Sequence, residues 1–427
     1  ATRLTSSCRT RLARRTLASS SRLSRFGVLT IYSGFGVVGA VFYPFYAVAM
    51  IDRGLSAGEL GLLTAATALV SSAVGPAWGH LADRVVGRRA GLAIGEISSA
   101  IGILLFAFGD LNAAIAGSLL MAIAGAASNS SADALALGIA RDGGPRFAVT
   151  RAVTSFTYAV TALAAGVAIR DGGGSSIVPF LAVGLCCTIL PIPFLKDRSV
   201  IAAHRSAPSR TTSSRRTRRS ARDRFGSVSE LLRIAPAMVP FVAIIFLEAL
   251  CAASFYRLGP VRINEVGGDA AMLGLGATLA AFIEVPFMIA SARMLKGIGL
   301  RRGFAAATAI MGVITASVAL FDSALSLTLL RLAEGAVFAI ALMCAVEVVD
   351  RLVPRRLHAT GQSLYHSAGT LGAALGGIVA GVLYDTAGST VVFIASGAGL
   401  LITAFFALRT MPRGRVLLES DATHGAR

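Results

Sequence analysis

Charged residues are scarce in this chain of 427 residues, and that scarcity argues against an ordinary water-soluble protein. Only 15% of the residues are charged, whereas 55% are hydrophobic. Soluble domains carry about 25% charged residues. Acidic residues are rarer than basic ones, with 22 Asp and Glu against 40 Lys and Arg. This composition favours a membrane protein with a basic surface.

Motifs of nucleotide-driven and hydrolytic enzymes are also missing. The chain contains no P-loop GxxxxGK[ST], no HExxH and no GxSxG. Four of its five cysteines lie in apolar runs, with no CxxC and no histidine cluster beside them, so neither a zinc site nor a disulfide framework is indicated. We therefore expect a protein that is not an enzyme, that binds no cofactor and no metal, and that draws its energy from gradients.

Long apolar runs are abundant. A bilayer core about 30 Å thick is crossed by about 20 helical residues, and twelve runs approach that length. They predict an all-α polytopic membrane protein with twelve transmembrane helices in two six-helix halves. The runs are Val28–Met50, Gly58–Leu81, Ala90–Phe108, Ala113–Ala140, Phe147–Ile169, Ile177–Leu195, Ala235–Tyr256, Ala270–Ala292, Gly303–Leu320, Ala324–Val349, Gly361–Leu383 and Thr390–Leu408.

The placement of basic residues predicts the orientation. Most lie in one alternate set of loops, and cytoplasmic loops carry the excess of Lys and Arg in membrane proteins. Both termini are therefore expected in the cytoplasm. The protein itself is expected in the bacterial plasma (inner) membrane. The other set of loops carries only Arg53, Arg170, Arg257 and Arg262. The predicted domains are a basic N-terminal tail (1–27), a six-helix half (28–195), a basic disordered linker (196–234), a second six-helix half (235–408) and a C-terminal tail (409–427).

Two basic segments have alternative interpretations. The Arg- and Ser-rich N-terminus, which lacks acidic residues, is also typical of an organelle transit peptide. The linker could bind nucleic acid, but it has no interleaved aromatic residues to stack on bases and it lies between membrane halves. We expect it to contact anionic lipid, and we expect no nucleic-acid partner.

Short repeats support a duplication of six helices. Arg88-Arg89, after the second run, recurs as Arg301-Arg302 after the eighth. Pro145-Arg146 recurs as Pro354-Arg355 in the matching loop of the second half. Parallel repeats of this kind occur in transporters with two six-helix halves.

The loop after the second run carries a longer motif. Residues 79–89 read Gly-His-Leu-Ala-Asp-Arg-Val-Val-Gly-Arg-Arg. This resembles the GxLaDRxGRR motif of the major facilitator superfamily, with one extra residue before the last glycine. The resemblance implies a gating loop, in which the glycine permits close helix approach and the acid pairs with an arginine or a helix N-terminus. Its residues are Gly79, Asp83, Arg84, Gly87, Arg88 and Arg89.

Three further segments resemble the branch of this superfamily that contains lactose permease and the nucleoside–proton symporters. Asp133, Arg151 and Tyr158 are similar in order and spacing to the Glu, Arg and Trp that bind sugar in that permease. Glu284-Val285-Pro286 resembles the segment whose carboxylate faces the cavity. Arg331 to Glu334 resembles the segment with the proton-carrying Glu. The fifth run lacks the glycines common in that branch, so the resemblance does not identify which sugar this chain would bind.

The embedded charges indicate a polar path without reference to any family. An ionised side chain at the bilayer centre costs about 3 kcal/mol, so each one requires a partner or a wet cavity. Asp133 and Arg151 can meet as an ion pair, either for substrate contact or as a purely structural bridge. We predict that a small-molecule substrate contacts both of them, together with Tyr158, Asn129 and Glu248.

A second group of charges suits proton movement. Arg331 and Glu334 are i,i+3 neighbours, so each can neutralise the other, and Glu334 can also carry a proton. Glu284 and Glu248 have no cation at helical spacing, so each is protonated, solvated by a cavity or paired with another helix, and we expect both to face a cavity rather than lipid. The predicted proton-coupling set is Glu334, Arg331 and Glu284.

Three functional hypotheses follow. The first is a monomeric proton-coupled symporter of a sugar- or nucleoside-like solute, working by alternating access, with protons, the solute and membrane lipid as its partners. The second is proton-driven efflux of amphiphilic compounds, although the fifth run lacks a Gly- and Pro-rich antiporter motif. The third is a non-transporting receptor or scaffold, which the retention of so many embedded charges disfavours.

Overall fold

A computed structural model describes residues 23–81, 85–195, 229–354 and 357–411. These ranges are almost entirely helical and contain no β-strand, and most of the predicted tails and linker lie outside them. The helices are 23–42 (α1), Tyr46–Asp52 (α2), Ala57–Leu81 (α3), Arg88–Phe108 (α4), Leu111–Arg141 (α5), Phe147–Gly172 (α6), Val178–Ile189 (α7), 229–234 (α8), Met238–Glu265 (α9), Ala270–Ile298 (α10), Leu300–Ser317 (α11), Ala324–Leu352 (α12) and His358–Thr410 (α13).

Ten helices in the described ranges are long and apolar enough to cross a membrane. The prediction of a polytopic helical membrane protein is therefore confirmed. The short α11 is not among the ten, because Arg301 and Arg302 lower its hydropathy. The last two predicted runs lie in α13, where two helices meet at a kink at Gly388, with φ 84° and ψ 170°. The count of twelve and the cytoplasmic position of both termini stay predictions.

The chain divides into two compact units. Unit 1 comprises Ala1–Tyr43 and Val70–Pro208, and unit 2 comprises Pro44–Leu69 and Ser209–Arg427. The buried cluster of unit 1 joins α1 to α4, α5 and the turn after α7, and it includes Tyr32 and Leu92. The larger cluster of unit 2 joins α9, α11, α12 and α13 around side chains such as Phe241, Phe304 and Tyr365. The predicted domain limits stay predictions.

The starts of α4 and α11 have the same local structure, which agrees with the duplication inferred from the arginine pairs. Each helix follows a glycine with positive φ, which is 88° at Gly87 and 82° at Gly299. In each, the amide four residues later, at Gly91 or Gly303, donates to that glycine's carbonyl oxygen at 2.9 Å. Arginines in a first helical turn oppose the helix dipole, so orientation in the membrane accounts for them better than helix stability does.

Two glycine stripes on α13 contact two different helices. A Cβ atom on Gly372 or Gly376 would collide with backbone carbonyls of α9, and one on Gly381 would collide with the Ala57 carbonyl of α3. A Cβ on Gly61 of α3 would in turn meet the Gly377 carbonyl. The absence of side chains at these glycines therefore allows the backbones to approach closely.

The start of α3 is capped from within and from a distant helix. The Ser56 amide donates to Oε2 of Glu59 at 2.9 Å, and the Glu59 amide donates to Oγ of Ser56 at 3.2 Å. The Ala57 and Gly58 amides donate to the two carboxylate oxygens of Asp385 in α13, at 3.0 and 2.7 Å. The first amides of a helix have no partner within the helix, and here four consecutive ones are satisfied.

Candidate functional site

Unit 1 brings Asp133 and Arg151 to the same tyrosine. The phenol of Tyr32, on α1, donates a hydrogen bond to Oδ1 of Asp133 on α5. Arg151, on α6, is close enough to act electrostatically on that phenol. The expected ion pair is not formed, because in the described part of the chain no Asp133–Arg151 contact lies within 4.0 Å. The phenol takes the place of the guanidinium as the partner of the acid.

Tyr32 is held firmly on both its side chain and its backbone. Its side chain is 1% exposed and packs edge-on against the rings of Phe35 and Phe147, with centroids 5.5 and 6.3 Å apart. Its carbonyl accepts a hydrogen bond from Oγ1 of Thr154 at 2.9 Å. The phenol is therefore fixed in direction, and so is the carboxylate that it contacts.

The other predicted substrate residues of unit 1 lie near this group. Asn129 is exposed one helical turn before Asp133, and Tyr158 is half-buried about two turns beyond Arg151. The hydroxyl of Ser131 is buried and has no hydrogen-bond partner among the described residues. Unit 1 thus combines a carboxylate, a guanidinium, a phenol and an unpaired hydroxyl. Groups of these kinds form hydrogen bonds with a hydroxylated solute.

Unit 2 contains a buried ion pair on α12. Nη1 of Arg331 lies 3.2 Å from Oε2 of Glu334, and Glu334 is 3% exposed. The guanidinium also lies over two rings of α9, 5.3 Å from the centroid of Phe255 and 6.0 Å from that of Tyr256. Oε2 of Glu334 makes no hydrogen bond within the described ranges, so the carboxylate is paired in charge but not fully hydrogen-bonded.

Two neighbouring helices bring further polar groups to this pair. Glu284, on α10, is half-buried and close enough to Glu334 for their charges to interact. The phenol of Tyr256 interacts with both Glu334 and Glu248. The structure thus brings together the three residues predicted for proton coupling, Arg331, Glu334 and Glu284, and it adds Tyr256.

Glu248 lines a cavity of about 340 Å³ inside unit 2. Three polar side chains of α13 share its wall: Tyr365, His366 and Thr370. The remaining lining is apolar and comes from α9, α11, α12 and α13. Its volume is within the range of small-molecule sites. The prediction that Glu248 lies in a cavity is confirmed.

The predicted gating loop is only partly described. Asp83 and Arg84 lie outside the described residues, so their role stays a prediction. Gly79 belongs to α3, and Gly87 caps α4 in a conformation that glycine tolerates. Arg89 donates a hydrogen bond to the carbonyl of Pro193, which ties the start of α4 to the turn after α7.

Sequence reasoning missed Tyr32, Tyr256 and Tyr365 as members of these clusters. A tyrosine in an apolar run is more often a packing residue, and nothing in its spacing reveals a partner on another helix. Within the described ranges, no group of three or more His, Cys, Asp or Glu side chains is placed to hold a metal ion.

Comparison with known proteins identifies the family. Residues 29–395 match the model of the MFS_1 like family. A maltose permease of Geobacillus stearothermophilus is 27% identical over 179 residues, which are 39% of this chain. The chain spans less than half, 45%, of that permease.

Solved transporters share the fold. A point mutant of the nucleoside transporter NupG superposes with a TM-score of 0.74 at 12% identity, over 91% of this chain and 100% of that one. A bacterial homologue of the human lysosomal transporter Spinster gives a TM-score of 0.67 at 14% identity, over 92% and 98%. The chain therefore belongs to the MFS_1 like family and is a multi-pass integral membrane protein that shares the fold of these transporters.

Proposed function

We propose that this protein is a proton-coupled symporter of a small polar solute with sugar- or nucleoside-like hydroxyl groups, and that it works by alternating access. The observation that carries the proposal is the Arg331–Glu334 pair, because a glutamate that is only 3% exposed lies in a membrane helix, where a charged side chain is costly. A purely structural role would favour apolar residues of similar size, which are often more stable than a buried ion pair.

The pair can load and release a proton. While the guanidinium of Arg331 lies 3.2 Å away, the Glu334 carboxylate is stabilised as an anion. If Arg331 moves away, the buried anion loses its counter-charge and takes a proton instead. The rings of Phe255 and Tyr256 contact the guanidinium as well, so the cation keeps a partner when the carboxyl group is protonated. One proton moving down about 100 mV supplies about 2.3 kcal/mol, enough to concentrate a neutral solute about 50-fold.

The solute class rests on the groups of unit 1 and on the relatives. Asp133, the Tyr32 phenol and Arg151 offer acceptors and donors for hydroxyl groups, and Tyr158 adds a ring for a sugar or base face. The relatives include a nucleoside transporter and a maltose permease. The proposal includes a monomer in a bacterial plasma membrane, with the solute and protons as its partners.

Transport in proteoliposomes tests the coupling. Purified protein is reconstituted, a pH gradient is imposed, and uptake is measured for sugars, nucleosides and dyes. Glu334→Gln should abolish gradient-driven accumulation but keep exchange of solute across the membrane, because the amide cannot carry a proton. Glu347→Gln is the matched control, since Glu347 is a half-exposed acid on the same helix that pairs with Arg351.

Each outcome points to one hypothesis. Gradient-driven uptake that survives Glu334→Gln removes Glu334 from the coupling role. Proton-driven movement of dyes in the opposite direction supports efflux. No flux of any compound through the wild-type protein supports the receptor or scaffold hypothesis.

A further inference from the structure

Glu248 is a cavity carboxylate without a cation. It makes no hydrogen bond and no ion pair with any residue in the described ranges. Two other acids of unit 2 differ: Glu334 has Arg331, and Glu265 has Arg262 together with the Tyr384 phenol. Neither lysine nor arginine is among the residues that line the cavity around Glu248. Among the described residues, the cavity wall therefore supplies no lysine or arginine to balance this group.

The rest of the wall also suits a positive charge. Tyr365 stacks on Phe241 at 6.2 Å between centroids, and the His366 ring lies 4.8 Å from that of Tyr365. Phe304 and Phe338 add aromatic lining. Aromatic faces attract ammonium groups. His366 adds a ring whose nitrogens can accept or donate a hydrogen bond.

We propose that this cavity binds a solute that carries a primary amine, with Glu248 as the counter-charge of the ammonium group and the aromatic wall around it. The inference rests on the proposed binding of a small polar solute, and it narrows that class to amino-substituted compounds such as amino sugars. The ammonium donates to the Glu248 carboxylate, while Thr370 and the His366 ring bind hydroxyl groups. A cavity of about 340 Å³ has room for one sugar ring.

Thermal stabilisation by matched ligands tests this inference without measuring transport. The probes are glucosamine against N-acetylglucosamine and galactosamine against N-acetylgalactosamine, because acetylation removes the charge and keeps the ring. On the wild-type protein, the amines should raise the unfolding temperature at lower concentration than their acetylated partners. Glu248→Gln should weaken amine binding by about 10- to 100-fold, since a charge-assisted hydrogen bond is lost, and it should remove the preference.

Thr370→Val serves as the cavity control. It removes a hydroxyl without changing charge, so the preference for the amine should persist. Equal stabilisation by amine and acetylated sugar, stabilisation by neither, or a preference that survives Glu248→Gln each overturns the inference. The experiments distinguish a failure of this inference from a failure of the proposed symport. Amine binding through Glu248 without pH-driven flux would contradict the symport and support this inference. If pH-driven uptake of neutral sugars were unaffected by Glu248→Gln, the symport would be supported and this inference would not.

Discussion

Removal of Arg331 tests how the buried pair on α12 is stabilised. The Glu334 side chain is 5% exposed, so the carboxylate cannot be hydrated once its partner is gone. Breaking a buried ion pair from one side costs about 3–5 kcal/mol. We therefore expect Arg331→Gln to lower the free energy of unfolding by about that amount at neutral pH.

The opposite substitution should cost less. After Glu334→Gln, the guanidinium of Arg331 remains 25% exposed and keeps its place over the rings of Phe255 and Tyr256. A cation over an aromatic face gains about 0.5–2 kcal/mol, which offsets part of the lost pairing. Replacing both residues removes both charges, so the double variant should be more stable than Arg331→Gln alone.

The sign of the pH dependence provides a second readout. In Arg331→Gln, a proton on Glu334 removes the unpaired charge, so the stability loss should shrink in mildly acidic buffer and grow as the pH rises. Unfolding is followed in detergent micelles by denaturant titration in neutral and in mildly acidic buffer. The control is Arg351→Gln, which breaks the half-exposed pair between Arg351 and Glu347. An Arg331→Gln protein as stable as the wild type at neutral pH, or a double variant less stable than either single one, would refute the reasoning.

Three further changes probe other contacts. Asp385→Ala removes the carboxylate that accepts hydrogen bonds from two first-turn amides of α3 and should cost about 0.5–2 kcal/mol in the same titration; an unchanged midpoint would contradict this cap. Gly376→Ala should destabilise by about 1–3 kcal/mol through overpacking, whereas Gly125→Ala, with open space around it, should be neutral or stabilising. Tyr32→Phe removes a hydrogen bond to Asp133, so solute affinity should fall by about 10-fold or more, and unaltered binding would exclude this pair from the site.

The helices and their close packing follow from simple sequence patterns. Apolar length predicts a membrane helix wherever about 20 residues are uncharged, because the bilayer leaves few alternatives. The ninth run is a marginal case, because the arginine pair lies in the first turn of the short α11 and lowers its hydropathy. The rule treats the last two runs as separate helices, and the non-helical Gly388 in α13 divides them at the same place.

The candidate sites could be predicted only where both partners lie on one helix. The Arg331–Glu334 pair follows from i,i+3 spacing and is present. The partner of Asp133 could not be found in this way, because Tyr32 is on another helix and its phenol is indistinguishable in sequence from a packing residue. The same limit hid the electrostatic influence of Glu248 and Glu334 on Tyr256, since the register between helices is set by packing.

The first part of α3 packs with segments that follow it by most of the chain length. Residues 44–69 group with unit 2, and the start of α3 depends on Asp385 and the glycine stripe around Gly381. Because a ribosome delivers residues in order, α3 is inserted before α13 has been made. Until α13 is made, the glycine face of α3 contacts lipid or the insertion machinery. Contacts between residues that are far apart in the sequence also form slowly. Native packing at the start of α3 is thus completed only after α13 has been made, and a nascent chain that stops before α13 should leave α3 accessible to quality-control proteases.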